Sequence, residues 1–284
     1  MARSIPFTKM EGCGNDYVYV NGLDVSVPDP ARLARAVSDR HFGIGSDGLV
    51  LILPSERADV RMRMFNSDGS EAEMCGNASR CVGKYAYDHG LVRQPDLRLE
   101  TGAGIKNLRL CMDGCTVTGA RVDMGEPELR ADRVPVLGGD GQRCVDFPIT
   151  VAGTAWRMTC VSMGNPHAVL FVDNVHALNL PELGPQFEHH PCFPRRTNTE
   201  FVQIVDRGHV RMRVWERGAG ETLACGTGAC ATAVACVLNG LTDRRVRVEL
   251  LGGSLDIEWN AADGHVYMSG PARTVFSGVY NFAD

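Results

Sequence analysis

Two Cys-Gly pairs, Cys75-Gly76 and Cys225-Gly226, have the clearest capacity for chemistry in this 284-residue chain. They stand 150 positions apart, and each opens a segment whose residue pattern predicts a helix. A thiol at a helix N-terminus lies at the positive end of the helix dipole, beside backbone N–H groups that have no partner inside the helix. We therefore expect the pKa of both thiols to lie below the ordinary value for cysteine.

Two thiols that approach one carbon atom from opposite faces can invert its configuration. One cysteine, as thiolate, would remove the α-proton of an amino acid, and the other, as thiol, would return a proton from the opposite side. The free N–H groups at the two helix starts would bind the substrate carboxylate and stabilise the charge that develops on it. The pattern favours stereoinversion of an amino acid by a pair of cysteines.

The two Cys-Gly pairs belong to an internal repeat. Residues 60–91 and 210–241 align without gaps, and nine of the 32 aligned positions are identical. The same offset places Gly14-Asn15 on Gly164-Asn165. A duplication of this kind predicts two similar halves, whose equivalent cysteines would meet at a shared site.

The elements around the two pairs follow one plan. In the first half, Val60–Phe65 alternates as a strand does, and a helix is predicted over residues 77–89. In the second half, Val210–Trp215 is the predicted strand and Gly226–Leu238 the helix. A further helix is predicted over residues 29–40, and further strands over Leu49–Leu53, Leu97–Thr101, Ile105–Cys111, Cys115–Val122, Phe201–Val205, Val246–Leu250, Leu255–Trp259 and Thr274–Tyr280.

The chain is longer than one hydrophobic core comfortably supports, so two domains are expected. Strands mixed with a few helices in each half predict a mixed α/β fold made of two pseudo-symmetric domains. Residues 1–125, completed by 271–284, would form the first domain and residues 126–270 the second. The stretch Gly125–Asp140, rich in Pro, Gly and charge, is the predicted crossing between them.

The composition argues against several classes of function. The net charge is -5 and the basic residues are scattered, which speaks against a nucleic-acid partner. The N-terminus has no secretion signature and the apolar runs are short, so a cytoplasmic protein with no membrane partner is expected. The 11 cysteines form no Cys-x-x-Cys pair, which argues against a metal site, and their odd number fits reduced thiols better than a disulfide framework.

Short motifs in a fixed order carry a family resemblance. They are Lys9–Asp16, Gly43–Gly48, Phe65–Glu71 leading to Met74–Asn77, Ser162–His167, and Glu216–Thr222 leading to Ala224–Cys230. Together they resemble the motifs of the diaminopimelate epimerase family. The resemblance runs from Lys9 to about Pro271, which is nearly the whole chain.

The resemblance implies two mixed α/β domains, each a β-sheet or barrel wrapped around a central helix, with the active site in the cleft between them. It implies the interconversion of LL- and meso-2,6-diaminopimelate in lysine and peptidoglycan precursor biosynthesis, without a metal or other cofactor. Members of the family are commonly homodimers. Cys75 and Cys225 match the family's two catalytic positions. The positions that bind its substrate are matched by Asn15, Asn66, Gly76, Asn77, Asn165, Asn198, Glu216, Arg217, Gly226 and Thr227.

The charges in the segment before the second Cys-Gly pair suit a substrate with two amino acid centres. Glu216 and Arg217 offer one charge of each sign, as a second ammonium and carboxylate would require. In an arbitrary sequence they would form a surface ion pair at a turn, and Gly-Asn pairs would be turn formers. His167 could orient a cysteine or cap a strand, and both interpretations stay open.

Two other interpretations also stay open. A related cofactor-independent racemase would act on proline, hydroxyproline or histidine. Asn77 stands where proline-type enzymes typically have His, and a cyclic imino acid would leave Glu216 and Arg217 without partners, whereas the histidine type is harder to exclude. A non-enzymatic duplicated protein would bind an amino acid and use its cysteines for packing.

Overall fold

The structure is a computed structural model that describes residues 2–138 and 142–283. The chain divides into two compact units, Met1–Val122 with Ser269–Asp284, and Asp123–Met268. Of the predicted crossing Gly125–Asp140, residues 139 and 140 lie outside the described residues.

In chain order, the elements are β1 (Ala2–Gly12), β2 (Asn15–Asn21), α1 (Pro30–Ser38), β3 (Gly48–Leu53), β4 (Val60–Asn66), β5 (Glu71–Ala72), α2 (Gly76–Asp88), β6 (Asp96–Thr101), β7 (Gly104–Asp113), β8 (Thr116–Gly125), β9 (Phe147–Val151), β10 (Thr154–Ser162), β11 (Pro166–Phe171), a 3-10 helix (Val175–Ala177), α3 (Leu180–Glu188), β12 (Asn198–Asp206), β13 (His209–Glu216), β14 (Gly220–Glu221), α4 (Gly226–Leu238), β15 (Arg245–Leu250), β16 (Gly253–Trp259), β17 (Val266–Pro271) and β18 (Arg273–Ala283).

Both units join their strands in the same way. In the first, β1 pairs antiparallel with β2, β2 parallel with β3, β3 antiparallel with β4, and β4 parallel with β6. In the second, β10, β11, β12, β13 and β15 repeat this sequence of pairings. In each unit the parallel partners are joined through a helix, because a parallel crossover needs a long connection. The shared plan supports the duplication that the sequence repeat indicates.

The repeat extends to an ion pair beside each cysteine loop. In the first unit, Arg63 Nε lies 2.7 Å from Glu71 Oε1, and in the second Arg213 Nε lies 2.7 Å from Glu221 Oε1. Each guanidinium donates a second hydrogen bond to the other carboxylate oxygen, so both pairs are bidentate. In each unit this bidentate Arg–Glu pair therefore joins the strand before the cysteine loop to the short strand inside the loop.

Helices α2 and α4 lie inside their units rather than on the surface. In α2 every residue from Gly76 to Ala86 is buried, and in α4 every residue is buried except Thr227, Val237 and Leu238. A helix buried on all sides must be surrounded by other elements. Helix α2 packs against β1, β2, β4, β6 and β7, and α4 against β10, β11, β12, β15 and β16. The predicted mixed α/β fold, with a helix enclosed by sheet in each half, is confirmed.

Both central helices end in the same motif. Gly90 and Gly240 follow them in the left-handed conformation, each with φ of 70°. The N–H of Leu91 donates to Ala86 O at 2.8 Å, and the equivalent bond from Leu241 measures 2.9 Å. This is the Schellman arrangement, in which a glycine without a Cβ satisfies carbonyls that the helix leaves free.

The predicted strands are present, with ends that differ by a few residues, and Thr274–Tyr280 lies within β18, which pairs antiparallel with β1. Helix α1 ends at Ser38, not at residue 40, because the Asp39 carboxylate accepts the next N–H groups and turns the chain. Helix α3 was not predicted; Pro185 inside it argues against a helix, whereas Pro181 lies in the first turn, where proline is tolerated. Among the described residues no helix is long and apolar enough to cross a membrane.

Replacing Gly90 or Gly240 by Ala should lower the free energy of unfolding by about 1–2 kcal/mol, the cost of a left-handed conformation with a Cβ. Nothing lies within 4 Å of the added Cβ at either position, so the effect comes from the backbone alone. Urea unfolding followed by circular dichroism measures it. Gly208→Ala is the control, because its Cβ meets only Asp206 Oδ1 at 3.5 Å and its φ lies outside the left-handed range. Equal losses in all three variants would contradict the prediction.

Candidate active site

The first cysteine lies at the start of α2. Cys75 is the N-cap residue of that helix, with an extended backbone and a partly exposed side chain. Its thiol donates to Asn15 Oδ1 at 3.5 Å, and Asn77 Nδ2 donates to the same oxygen at 3.3 Å. The first residue of β2 is therefore brought to the helix start that carries the thiol. Gly76 and Asn77 form the first turn of α2, and both are buried.

A carboxylate fixes the orientation of Asn15. Asn15 Nδ2 donates to Asp47 Oδ2 at 2.8 Å, and the same oxygen accepts the N–H of Asp16 at 3.2 Å. Because Asp47 takes the amide donor, the amide oxygen of Asn15 faces Cys75. Asp47 lies inside a motif that the sequence singled out, but its role depends on a strand pairing that the sequence does not reveal.

Asn66 and Asn77 differ in how their amides are used. Asn66, the last residue of β4, donates from Nδ2 to Ser70 Oγ at 3.0 Å. Asn77 is 2% exposed, and its Oδ1 has no hydrogen-bond partner within the protein. A buried amide oxygen without a donor is costly, so this atom is suited to accept a hydrogen bond from a bound molecule.

The second cysteine lies at the start of α4 and is more deeply enclosed. Cys225 is 5% exposed, and its Sγ accepts the Gly228 N–H at 3.4 Å, so the sulfur itself caps the helix. Thr227 Oγ1 lies 3.5 Å from the same sulfur, and Gly226 is buried at the first helical position. A Cβ at position 228 would lie 3.2 Å from the sulfur and 2.6 Å from Glu200 Oε1, so glycine lets the helix start approach that carboxylate.

A histidine and a carboxylate stand behind Cys225. His167 Nδ1 lies 2.7 Å from Glu200 Oε1, and both side chains are fully buried. The other ring nitrogen, Nε2, lies 3.0 Å from Asn165 Oδ1. The ring of His167 therefore links Asn165 to Glu200, and its hydrogen bonds go to side chains rather than to a strand end. Glu200 is not among the residues predicted from the sequence. An acidic residue directly before the apolar pair Phe201-Val202 of a predicted strand is the signal that could have found it.

The surroundings of Cys225 raise the pKa of its thiol well above the ordinary value. Burial is the largest cause, and the carboxylates of Glu216 and Glu200 add to it, while the hydroxyl of Thr227 and the N–H of Gly228 act in the opposite direction. The expectation that the helix dipole lowers the pKa is therefore wrong for Cys225. The thiol is removed from water and faces two carboxylates, and these effects outweigh the dipole. At neutral pH Cys225 carries its proton.

Burial likewise raises the pKa of Glu216. Hydrogen bonds from Thr222 and Cys225 and the nearby ring of His167 partly offset this effect. The Thr222 hydroxyl donates to Glu216 Oε1, which holds the carboxylate on the loop before α4. Glu216 thus lies close enough to the thiol of its own unit for each group to affect the pKa of the other.

The two cysteines stand in different electrostatic surroundings despite their shared origin. The offset of 150 aligns Asn66 with Glu216 and Val50 with Glu200. The first half therefore has neutral residues where the second half has the two carboxylates that raise the pKa of Cys225.

Asn198 and Arg217 are joined through the backbone. Asn198 is buried and donates from Nδ2 to Pro166 O at 2.9 Å, while its Oδ1 accepts the Arg217 N–H at 2.9 Å. The side chain of Arg217 is exposed and donates from Nη1 to Arg195 O at 2.9 Å. Asn198 thus supports the turn that presents Arg217. Within residues 2–138 and 142–283, no three His, Cys, Asp or Glu side chains come together in a way that could hold a metal ion.

Fold and site together define a class of duplicated mixed α/β proteins in which each unit begins its enclosed helix with a cysteine. The family model for diaminopimelate epimerase matches residues 7–130 and 159–275 of this chain. The chain belongs to the diaminopimelate epimerase family, and the resemblance drawn from its motifs is confirmed.

Relatives match over almost the whole length. A diaminopimelate epimerase of Desulfovibrio desulfuricans is 63% identical over 285 residues, which covers 99% of each chain. One of Acetivibrio thermocellus is 59% identical over 272 residues, covering 96% of this chain and 97% of the relative. Among solved structures, a phenazine biosynthesis protein of the PhzF family from Bacillus anthracis has a TM-score of 0.69 at 16% identity and covers 98% of this chain and 99% of its own. At that identity the likeness shows the fold alone.

Replacing Glu216 by Gln should lower the pKa of Cys225, because it removes a carboxylate that disfavours the thiolate. Alkylation by iodoacetamide, followed at the Cys225 peptide by mass spectrometry across a pH series, should shift to lower pH by about one unit. Cys115 is the internal control, because it is exposed and lies in the other unit, so its profile should not change. An unchanged Cys225 profile would contradict the assignment of Glu216 as a cause of the raised pKa.

Proposed function

We propose that this protein is an isomerase that interconverts LL- and meso-2,6-diaminopimelate, a step of lysine and peptidoglycan precursor biosynthesis. The family match and the names of its relatives support the reaction. The observation that carries the proposal is the pair of cysteines at equivalent helix starts in two duplicated units.

The proposed reaction uses the cysteines as base and acid. Cys75, as thiolate, takes the α-proton, so the Cα–H bond breaks and an S–H bond forms. The Cys225 thiol then gives its proton to the opposite face of the carbon and becomes the thiolate. The raised pKa of Cys225 supports its role as the donor in this direction. The reverse reaction exchanges the two roles, and the proposal requires both thiols to reach one α-carbon.

Backbone donors are proposed to hold the reacting carboxylate. The first turns of the two central helices, Gly76-Asn77 and Gly226-Thr227, offer N–H groups at the positive ends of helix dipoles. Removing the α-proton moves negative charge onto the carboxylate, so fixed donors lower the barrier most where the charge develops. The two units are proposed to act as the two domains that contribute these turns, and the chemistry proposed for this chain's own residues calls on no cofactor.

The remaining side chains are proposed to bind the second amino acid centre. Arg217 supplies a guanidinium for the distal carboxylate, and Glu216 supplies a charge for the distal ammonium group. Amide groups complete the set, and they belong to Asn15, Asn66, Asn165 and Asn198. His167 is proposed as a supporting residue that holds Asn165 in place.

Replacing Cys75 or Cys225 by Ala should lower the rate of epimerisation at least about 100-fold, because each removes one partner of a proton transfer. Proton NMR of LL-diaminopimelate in heavy water follows both configuration and α-deuterium uptake. Cys115→Ala is the matched control, since that thiol is exposed and belongs to neither helix start. Near-normal turnover in either single variant would refute the two-thiol mechanism.

The same assay with histidine, proline and hydroxyproline tests the related racemase activities. A protein that only binds an amino acid would give no deuterium uptake.

A homodimer in the cytoplasm is a further part of the proposal. Val275, Phe276 and Val279 on β18 are exposed to 53%, 45% and 61%, and exposed apolar side chains grouped on one strand suit a subunit interface. Sedimentation velocity should show a dimer for the natural chain and a monomer for Val279→Glu. A monomer at all concentrations of the natural chain would refute the dimer.

A further inference from the structure

We propose that Glu188, the last residue of α3, is a positioning residue that determines how tightly the second amino acid centre of the substrate is held. It does so by fixing the turn of residues 216–220, from which Arg217 projects. This inference rests on the proposed function and extends it to a residue without a role in the chemistry.

The carboxylate of Glu188 is buried and collects donors from three places. Its Oε1 accepts Arg196 Nη1 at 2.9 Å and the N–H of Gly218 at 3.0 Å. Its Oε2 accepts the indole N–H of Trp215 at 2.8 Å. Glu188 is 4% exposed, and burying a carboxylate costs several kcal/mol unless it is well bonded. A buried carboxylate with this set of donors is one whose geometry is closely determined.

The donors show what the carboxylate joins. Trp215 is on β13, directly before the Glu216-Arg217 pair, and Gly218 directly follows it. Arg196, with φ of 57°, belongs to the loop that leads into Asn198 on β12. One side chain from α3 therefore ties the turn after β13 to the loop before β12.

Arg217 is held from both sides along the backbone. Its own N–H donates to Asn198 Oδ1 at 2.9 Å, and the next N–H, that of Gly218, donates to Glu188 Oε1 at 3.0 Å. Gly218 has φ of 80°, a left-handed conformation that glycine adopts readily, and the turn is closed by one internal bond from the Ala219 N–H to Glu216 O at 3.1 Å. The exposed side chain of Arg217 therefore starts from a fixed backbone. Fixing a long side chain at its root reduces the entropy lost when it grips a carboxylate.

The consequence falls on binding rather than on proton transfer. Glu188 bonds the N–H of Gly218, the residue after Arg217. Glu216, which lies beside Cys225, is the last residue of β13 and is held by the Thr222 hydroxyl rather than by Glu188. Loosening the 216–220 turn should weaken the grip on the distal carboxylate before and during the reaction alike. Such a loss raises KM and leaves kcat nearly unchanged.

The test is Glu188→Gln. This substitution keeps the side-chain volume, removes the charge and places an amide NH2 group where Glu188 accepts hydrogen bonds from other N–H groups. KM for LL-diaminopimelate should rise about tenfold, with kcat changed less than about twofold. Glu182→Gln is the control, because Glu182 is on the same helix, is exposed, and bonds to Asn179 at the helix start. A fall in kcat at constant KM, or an unchanged KM, would overturn the proposal.

A second measurement needs no activity. Amide hydrogen exchange followed by mass spectrometry should be faster for the peptide that contains residues 216–220 in Glu188→Gln and unchanged in Glu182→Gln. If the natural chain did not epimerise diaminopimelate, the proposed function would fail. Unchanged exchange in Glu188→Gln would by itself overturn the positioning role of Glu188. Should Glu188→Gln fail to fold, Arg196→Gln removes one donor from an exposed side chain. A smaller rise of KM in that variant supports the proposal, and an unchanged KM overturns it.

Discussion

The structure depends on enclosing two helices whose first turns must still find partners for their N–H groups. A helix start buried in a sheet has donors that water cannot reach, so something else has to satisfy them. In the second unit the Cys225 sulfur accepts one of these groups, the N–H of Gly228, and the proposed function assigns the other N–H groups of this helix start to the substrate carboxylate. Under that proposal the enclosed helix both positions the thiol and supplies the donors for a carboxylate. The bidentate ion pair and the glycine cap that recur in each unit hold that helix and its loop in place.

The duplication supplied two equivalent thiols, and later divergence made their surroundings unequal. A helix dipole stabilises a charge at its N-terminus by about 0.3–1 kcal/mol. Burial of an acid can disfavour its charged form by about 4–7 kcal/mol. For Cys225 the larger effect decides, and Glu216 and Glu200 reinforce it. The helix start positions this sulfur and gives it a hydrogen bond, whereas the sheet and the carboxylates keep it protonated.

Features encoded by local signals were predictable from the sequence, and features created by distant contacts were not. The bounds of α4 followed from small residues and a closing glycine, and α2 begins only one residue before its predicted start. Cys75 and Cys225 were identified as candidate catalytic residues because they occupy the same position in the two copies of the repeat. The parts that Glu200 and Glu188 play depend on neighbours that lie far away in the sequence, so no local pattern reveals them. The predicted lowering of the pKa of Cys225 was wrong for the same reason, because the degree of burial that raises this pKa is a property of the folded unit.

The close approach of α4 to Glu200 links two positions that lie far apart in the chain. Without a Cβ at position 228, the carboxylate of Glu200 occupies the space where a methyl group would stand. A larger residue at position 228 or at position 200 would therefore clash with the other unless that one became smaller. Natural variation in this pocket should therefore be correlated: chains with a bulkier residue at 228 should carry a shorter one at 200, and the partner that His167 loses would have to be replaced elsewhere.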